Sequence, residues 1–277
     1  MPKKTVGLVG CGTIGTDLAL AIESGSIRNA RLGALFDAID GNITGLRAKL
    51  KTEVRAYHDF DEFIGSKIDI VIEAASQQAV RKFGKLIIES GKDLMVMSVG
   101  ALTDRRFLAE LLDLAPLRNG QNRIYIPTGA IAGIDAIRSV RHLIDSVTLT
   151  TTKGPKALAG APFFATSKVN LDTVTSITEI YKGSAAQAVK LFPANVNVAA
   201  VLSLAGIGAE RTTVRVLVDP HATTNQHDIT ARGSFGDIKI TVNNVTAPGN
   251  PKTSFLAVLS AIECLRSICD EGIRVGS

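Results

Sequence analysis

Residues 5–25 read "TVGLVGCGTIGTDLALAIESG", and the fold follows from how this stretch is parsed. A short apolar run of strand type ends in Gly10-x-Gly12-x-x-Gly15, and Leu18, Ala19, Ala21 and Ile22 then form an apolar helix stripe. A second apolar run, Leu32–Phe36, ends in Asp37, twenty-two residues beyond Gly15. Each part answers a physical need of a dinucleotide site. Gly10 permits a tight turn, Gly12 lets the backbone approach a pyrophosphate, and Gly15 lets helix and strand pack closely. Thr13 and Ile14 open the helix, whose first N–H groups face the phosphates. Asp37 can accept hydrogen bonds from the adenosine ribose. A glycine loop alone is weak evidence; the strand, helix, second strand and terminal acid together make the expectation firm.

Outward from this unit the alternation continues. "IDIVIEAAS" (68–76) is a buried-strand run, "QQAVRKFGKLIIESG" (77–91) an amphipathic helix, and "DLMVMSVGA" (93–101) a further strand. "DRRFLAELLDLA" (104–115) is another helix and "NRIYIPTGA" (122–130) another strand. The pattern predicts an α/β fold with an N-terminal Rossmann-type, doubly wound parallel sheet. Ligands in such sheets sit at the carboxyl ends of strands, so Ala75, Ser76, Gly100 and Ala101 border the expected cofactor. Small residues where helix meets sheet are the plainer reading of these four. Asp37 is followed by Ala38 and Ile39 rather than Arg, which favours NAD, while Arg47 and Lys49 keep NADP open.

The second half changes character. "GAIAGIDAIRSVRHL" (129–143) reads as a helix, after which Thr- and Val-rich strands appear at 145–153, 213–219 and 237–245. Their period-2 patterning suits a mixed or antiparallel sheet exposed on one face. A helix is expected from Asn195 or Asn197, and a long apolar C-terminal helix capped by Thr253 or Ser254. The expected division is residues 1–129 as the dinucleotide-binding domain and 130–252 as the catalytic, substrate and dimerisation domain. The helix 253–277 is expected to return to the first domain.

The chain has 277 residues, 45% of them apolar and 21% charged, with a net charge of +5. Trp is absent and the charge is spread out, so neither a stacking platform nor a basic footprint for nucleic acid is expected. No apolar run reaches the length of a membrane span. Cys11, Cys264 and Cys269 have neither metal spacing nor a disulfide framework; no metal and a cytoplasmic setting are expected.

The segment "DPHATTNQHDI" (219–229) holds His221 and His227, two of only four histidines. It is polar and turn-rich, and by pattern alone reads as a solvated loop. His58 and His142 fall on surface segments. Lys252, Thr253 and Ser254 at a helix start combine a cation, hydroxyls and exposed N–H groups, suited to a carboxylate or to plain helix capping. Lys153, at the end of its strand, is a weaker candidate for the same task.

Five segments in order, "GLVGCGTIG", "IPTGAIAGIDA", "LFPANVNVAA", "DPHATTNQHDI" and "APGNPKTSFL", resemble the L-aspartate dehydrogenase family over nearly the whole chain. The resemblance implies a Rossmann domain followed by an α/β domain and oxidation of L-aspartate with NAD(P) to iminoaspartate. That product feeds NAD biosynthesis or hydrolyses to oxaloacetate and ammonia. It further implies His227 as the catalytic histidine and Ala130 and Asn197 as cofactor contacts, with Ala132 close to the first of these. Asn225 and Asp228 would fix the tautomer or approach of His227, and Asn225 would also contact substrate. A homodimer is expected as the commonest closed assembly. The other readings are an oxidoreductase of homoserine dehydrogenase or dihydrodipicolinate reductase type, or a non-catalytic NAD-sensing regulator.

Overall fold

The structure is a computed structural model that describes residues 3–114, 122–167, 169–193, 197–248 and 250–270, with side chains at 250–252 outside the description. The chain divides into two compact units. The first comprises Met1–Pro127 with Val258–Val275, and the second is centred on Thr128–Ala257.

The first unit alternates strand and helix: β1 (Lys4–Val9), α1 (Thr13–Glu23), β2 (Ala30–Phe36), α2 (Asp40–Arg47), β3 (Arg55–Tyr57) and α3 (Phe60–Gly65), then β4 (Ile70–Glu73), α4 (Gln77–Glu89), β5 (Asp93–Val96), α5 (Arg105–Leu114) and β6 (Ile124–Tyr125). The strands are parallel, in the order β3-β2-β1-β4-β5-β6. The chain therefore leaves β1 in one direction and returns to β4 on its other side. In sheets of this kind such a reversal marks where ligands bind, beyond the carboxyl ends of the strands, and Gly10 and Ala75 follow β1 and β4 there. β4 and β5 are buried on both faces, as their unbroken apolar runs require. The core joins Val6, Leu8, Leu18, Ile22, Leu35, Ile70 and Ile72 to Ala261 and Leu265 of the C-terminal helix. Each such side chain contributes about 1.5–3 kcal/mol of hydrophobic stabilisation for the larger aliphatics.

The second unit contains α6 (Ile134–Val140), β7 (Ile144–Lys153), α7 (Pro155–Leu158), α8 (Phe163–Thr166), β8 (Thr178–Ser184), α9 (Ala185–Leu191) and α10 (Asn197–Ala205), then β9 (Thr212–Val218), β10 (Asn225–Gly233), β11 (Gly236–Asn244) and a short pair, β12 (Thr246–Ala247) and β13 (Asn250–Ser254). The C-terminal helix α11 (Phe255–Cys269) follows. Five strands form a mixed sheet in the order β11-β10-β7-β9-β8, with β7 and β9 parallel and the other neighbours antiparallel. The inner face alternates as the sequence requires: Val147, Leu149, Val214, Val216, Ile229 and Ala231 are buried, while the residues between them reach solvent.

Three local expectations change. The segment 129–143 is helical only over Ile134–Val140, with a tighter helical turn at Arg141–Leu143. Gly129 and Gly133 take φ of +69° and +70°, a left-handed backbone that delays the start of the helix. The C-terminal helix starts at Phe255 and not at 253: Thr253 and Ser254 end strand β13, with Ser254 in the position just before the first helical residue. The polar stretch from Asn225 onward is not a loop: it is strand β10, hydrogen-bonded on both sides.

Candidate active site

In the first unit the glycine loop is built as its residue types demand. Gly10 has φ +99°, and a Cβ there would lie 2.7 Å from the Ala74 carbonyl. A Cβ on Gly15 would collide with the carbonyl oxygen of Gly10. Beside Gly12 there is open space within 4 Å of where a Cβ would point. Gly12 is also the N-cap of α1, with no side-chain cap and no acid in the first turn. A helix start left uncapped by acids, with space above its glycine, suits a pyrophosphate. Thr13 and Ile14 form its first turn.

Asp37 stands at the carboxyl end of β2, and its carboxylate accepts from two backbone amides and one side-chain amide. Oδ2 accepts from the Cys11 amide at 2.7 Å and from Asn42 Nδ2 at 3.1 Å, and Oδ1 accepts from the Ile39 amide at 2.8 Å. Burial, then the charge of Asp37, pushes the Cys11 thiol up to about 12, so it stays protonated.

The sequence reading missed Glu73. It ends the buried strand β4, and only 1% of its surface is exposed. Its Oε1 accepts from the amides of Ala75 (2.9 Å) and Ser76 (2.8 Å) and from Ser98 Oγ (2.9 Å). Its Oε2 accepts from the Ser98 amide (3.0 Å). One carboxylate thus holds together the loops after β4 and β5, both at the carboxyl ends of their strands. Burial raises its pKa, and the four hydrogen bonds oppose that rise. Ala75 and Ser76 are exposed above it, and Ser76 Oγ caps α4 by accepting from the Ala79 amide at 3.1 Å.

In the second unit the inner sheet face turns polar at one end. His227 sits in β10, 1% exposed, opposite Thr151 of β7. Thr151 Oγ1 and His227 Nδ1 are 2.9 Å apart. Asn225 is 2% exposed and donates from Nδ2 to Ser254 Oγ at 3.3 Å. Lys153 is 3% exposed, two residues along β7 from Thr151 and so on the same face. Burial, then the charge of Lys153, pushes His227 down to about 3, and burial pushes Lys153 down to about 8. The histidine is therefore neutral at physiological pH, and the lysine is mainly charged.

The expected residues separate accordingly. His227, Asn225 and Ser254 lie at this polar end, while Thr253 is half-buried in β13 and the side chain of Lys252 lies outside the described residues. Asp228 does not touch His227: it points to the other face, where it accepts from Gln226 Nε2 and Thr241 Oγ1, each at 2.7 Å. Period-2 geometry makes this unavoidable, and Thr151 is the partner of Nδ1 instead. His221 is exposed, its amide donating to Asp219 Oδ1 at 2.9 Å in a local turn. Ala130 is buried, and its carbonyl accepts from Asn244 Nδ2 at 3.0 Å. Asn197 is the first residue of α10.

Residues 135–268 match the family model described as aspartate dehydrogenase, C-terminal. L-aspartate dehydrogenase of Nitrosopumilus maritimus is 46% identical over 99% of this chain and 100% of its own length. The chain belongs to the L-aspartate dehydrogenase family. The corresponding protein of Methanosarcina barkeri is 47% identical over 98% of this chain and 99% of its own. Residues 10–127 match the model described as homoserine dehydrogenase, NAD binding domain. Among solved structures, aspartate dehydrogenase of Thermotoga maritima superposes with a TM-score of 0.76 at 26% identity, over 98% of this chain and 99% of that one. The WlbA dehydrogenase of Bordetella pertussis shares the fold at a TM-score of 0.54 and 14% identity, over 98% and 89% of the two chains.

Proposed function

We propose that this protein oxidises L-aspartate with NAD to iminoaspartate, which hydrolyses to oxaloacetate and ammonia or enters NAD biosynthesis. The observation that carries the reading is a buried, neutral histidine whose Nδ1 is tied to Thr151, on the polar end of an otherwise apolar sheet face. NAD, when bound, supplies the nicotinamide that accepts hydride from the substrate Cα.

The protein's own side chains have three tasks. The loop Gly10–Gly15, with Thr13 and Ile14, takes the pyrophosphate on the N-terminus of α1. Asp37 accepts from the adenosine ribose, and its charge disfavours a 2′-phosphate, so NAD is preferred over NADP. Ala75, Ser76, Ala130 and Asn197 complete the cofactor contacts. His227 handles the proton. Hydride can leave Cα only once the α-ammonium has lost a proton, since the nitrogen lone pair forms the C=N bond. In the tautomer that donates Nδ1–H to Thr151 Oγ1, Nε2 holds the lone pair that takes this proton. Once that proton has passed to solvent, the same nitrogen can remove a proton from the water that adds to the imine. Asn225, Lys252, Thr253 and Ser254 position the substrate. The protein acts in the cytoplasm as a homodimer, with no nucleic-acid or membrane partner; among the described residues no helix is long and apolar enough to cross a membrane.

The test is His227→Asn, assayed by NADH formation from L-aspartate beside a direct NADH-binding titration. The expected outcome is turnover reduced by about a hundredfold to ten-thousandfold with NADH affinity unchanged. Parental turnover in His227→Asn would remove His227 from the chemistry.

A further inference from the structure

We propose that Lys153 is the anchor for a carboxylate of the substrate, a buried cation with no acid paired to it among the described residues, so that an anionic ligand supplies the missing charge. The inference rests on the proposed aspartate chemistry and adds the group that recognises the anion.

The placement comes from the sheet. β10 runs antiparallel to β7 with Gln226 opposite Thr152 and His227 opposite Thr151. One step further along the same register sets Asn225 beside Lys153. On the other flank Lys153 faces Val218 of β9. Lys153, Asn225, Thr151 and His227 therefore share one face, all at 3% exposure or less. Lys153 takes part in none of the ion pairs among the described residues. The nearest acid in sequence on the adjoining loop, Asp219, directs Oδ1 to the His221 amide, while its own amide donates to the Lys153 carbonyl at 3.0 Å.

The buried carboxylates among the described residues are compensated. Glu73 accepts four hydrogen bonds, and Asp93 pairs with Lys4 and accepts from the Arg123 amide. Lys153 is the contrast. A buried charge without a partner destabilises the protein, and such groups are tolerated where a ligand completes them. A carboxylate beside the ammonium would also offset the positive charge that holds down the basicity of His227. Anion binding and proton acceptance are thereby coupled: the substrate's charge removes the lesser of the two causes that hold His227 down, burial being the greater.

The experiment compares the full-length parent with Lys153→Met, which keeps the stem and removes the charge. Thermal unfolding is followed with and without succinate, a dicarboxylate that cannot react, in the presence of NADH, alongside KM values for L-aspartate and NAD. The ligand-free variant is expected to melt above the parent, and succinate should no longer raise its melting temperature. KM for L-aspartate should rise on the order of a hundredfold, with KM for NAD within about twofold. A Lys153 that serves only packing gives the reverse: a lower melting temperature, with succinate protection and KM for aspartate retained. That result overturns the proposal, as does lost turnover with succinate affinity intact. A parent that binds succinate through Lys153 but does not oxidise aspartate supports the anion anchor and refutes the substrate reading. A parent that binds no dicarboxylate overturns both.

Discussion

Replacing His227 by Asn should change how the protein responds to acid, by an amount that follows from its burial. Free histidine titrates near 6.5, and in the folded protein His227 is held down to about 3, first by desolvation and then by Lys153. The sign is that of a depressed folded pKa. The stabilising contribution is complete above the unfolded value of 6.5 and is lost as pH falls toward 3, because only the unfolded chain takes up the proton in that window. Between pH 7.5 and 4.5 this one group should cost the parent about 2.5 kcal/mol, by the linkage relation. Asparagine does not titrate, so His227→Asn should lack this component. Carboxylates elsewhere protonate in both proteins and cancel in the difference. Urea unfolding at the two pH values, monitored by circular dichroism on ligand-free protein, supplies both stability differences. The parent's loss should exceed the variant's by roughly that 2.5 kcal/mol. Equal losses would refute the claim that His227 is buried and neutral in the folded state.

Three further outcomes are expected. Asp37→Ala should weaken NAD affinity by about tenfold or more and narrow the preference over NADP, read from KM values for both cofactors; unchanged affinities would show that Asp37 is not the ribose acceptor. Glu73→Ala leaves three amides and the Ser98 hydroxyl without their acceptor, so thermal unfolding should show a loss of roughly 3 kcal/mol or more, and KM for NAD should rise as the two loops loosen. Lys252→Ala should raise KM for aspartate more than KM for NAD, whereas an equal, small effect on both would make Lys252 a solvated side chain.

The first sheet is legible in the sequence because its signals are local. Gly10, Gly12 and Gly15 stand at a fixed short spacing between one strand and one helix, and the apolar runs at 6–9 and 70–72 mark strands buried on both faces, with the run at 32–36 marking a partly buried neighbour. Glu73 is different. Its role depends on Ser98, a residue brought near only when β5 pairs with β4, so nothing around position 73 announces it. In the second unit "TTTK" offers no alternation between Thr150, Thr151 and Thr152, and only the partner strands decide that Thr151 and Lys153 face inward. The same holds for His227. The preceding string of Asp, Pro, His and Thr is turn chemistry and resembles a solvated loop, yet Asn225, His227, Ile229 and Ala231 follow a strict period of two. That alternation was hidden because its first two inward residues are polar. Polar side chains facing inward are the point at which pattern reasoning fails and a functional site begins.

The central claim is tested most directly by mixing the purified protein with NAD and a panel of amino acids and hydroxyacids, and following NADH absorbance. The account predicts NADH formation with L-aspartate, ammonia released with it, and no comparable rate with homoserine. Turnover of homoserine or a hydroxyacid, with none on L-aspartate, would contradict it.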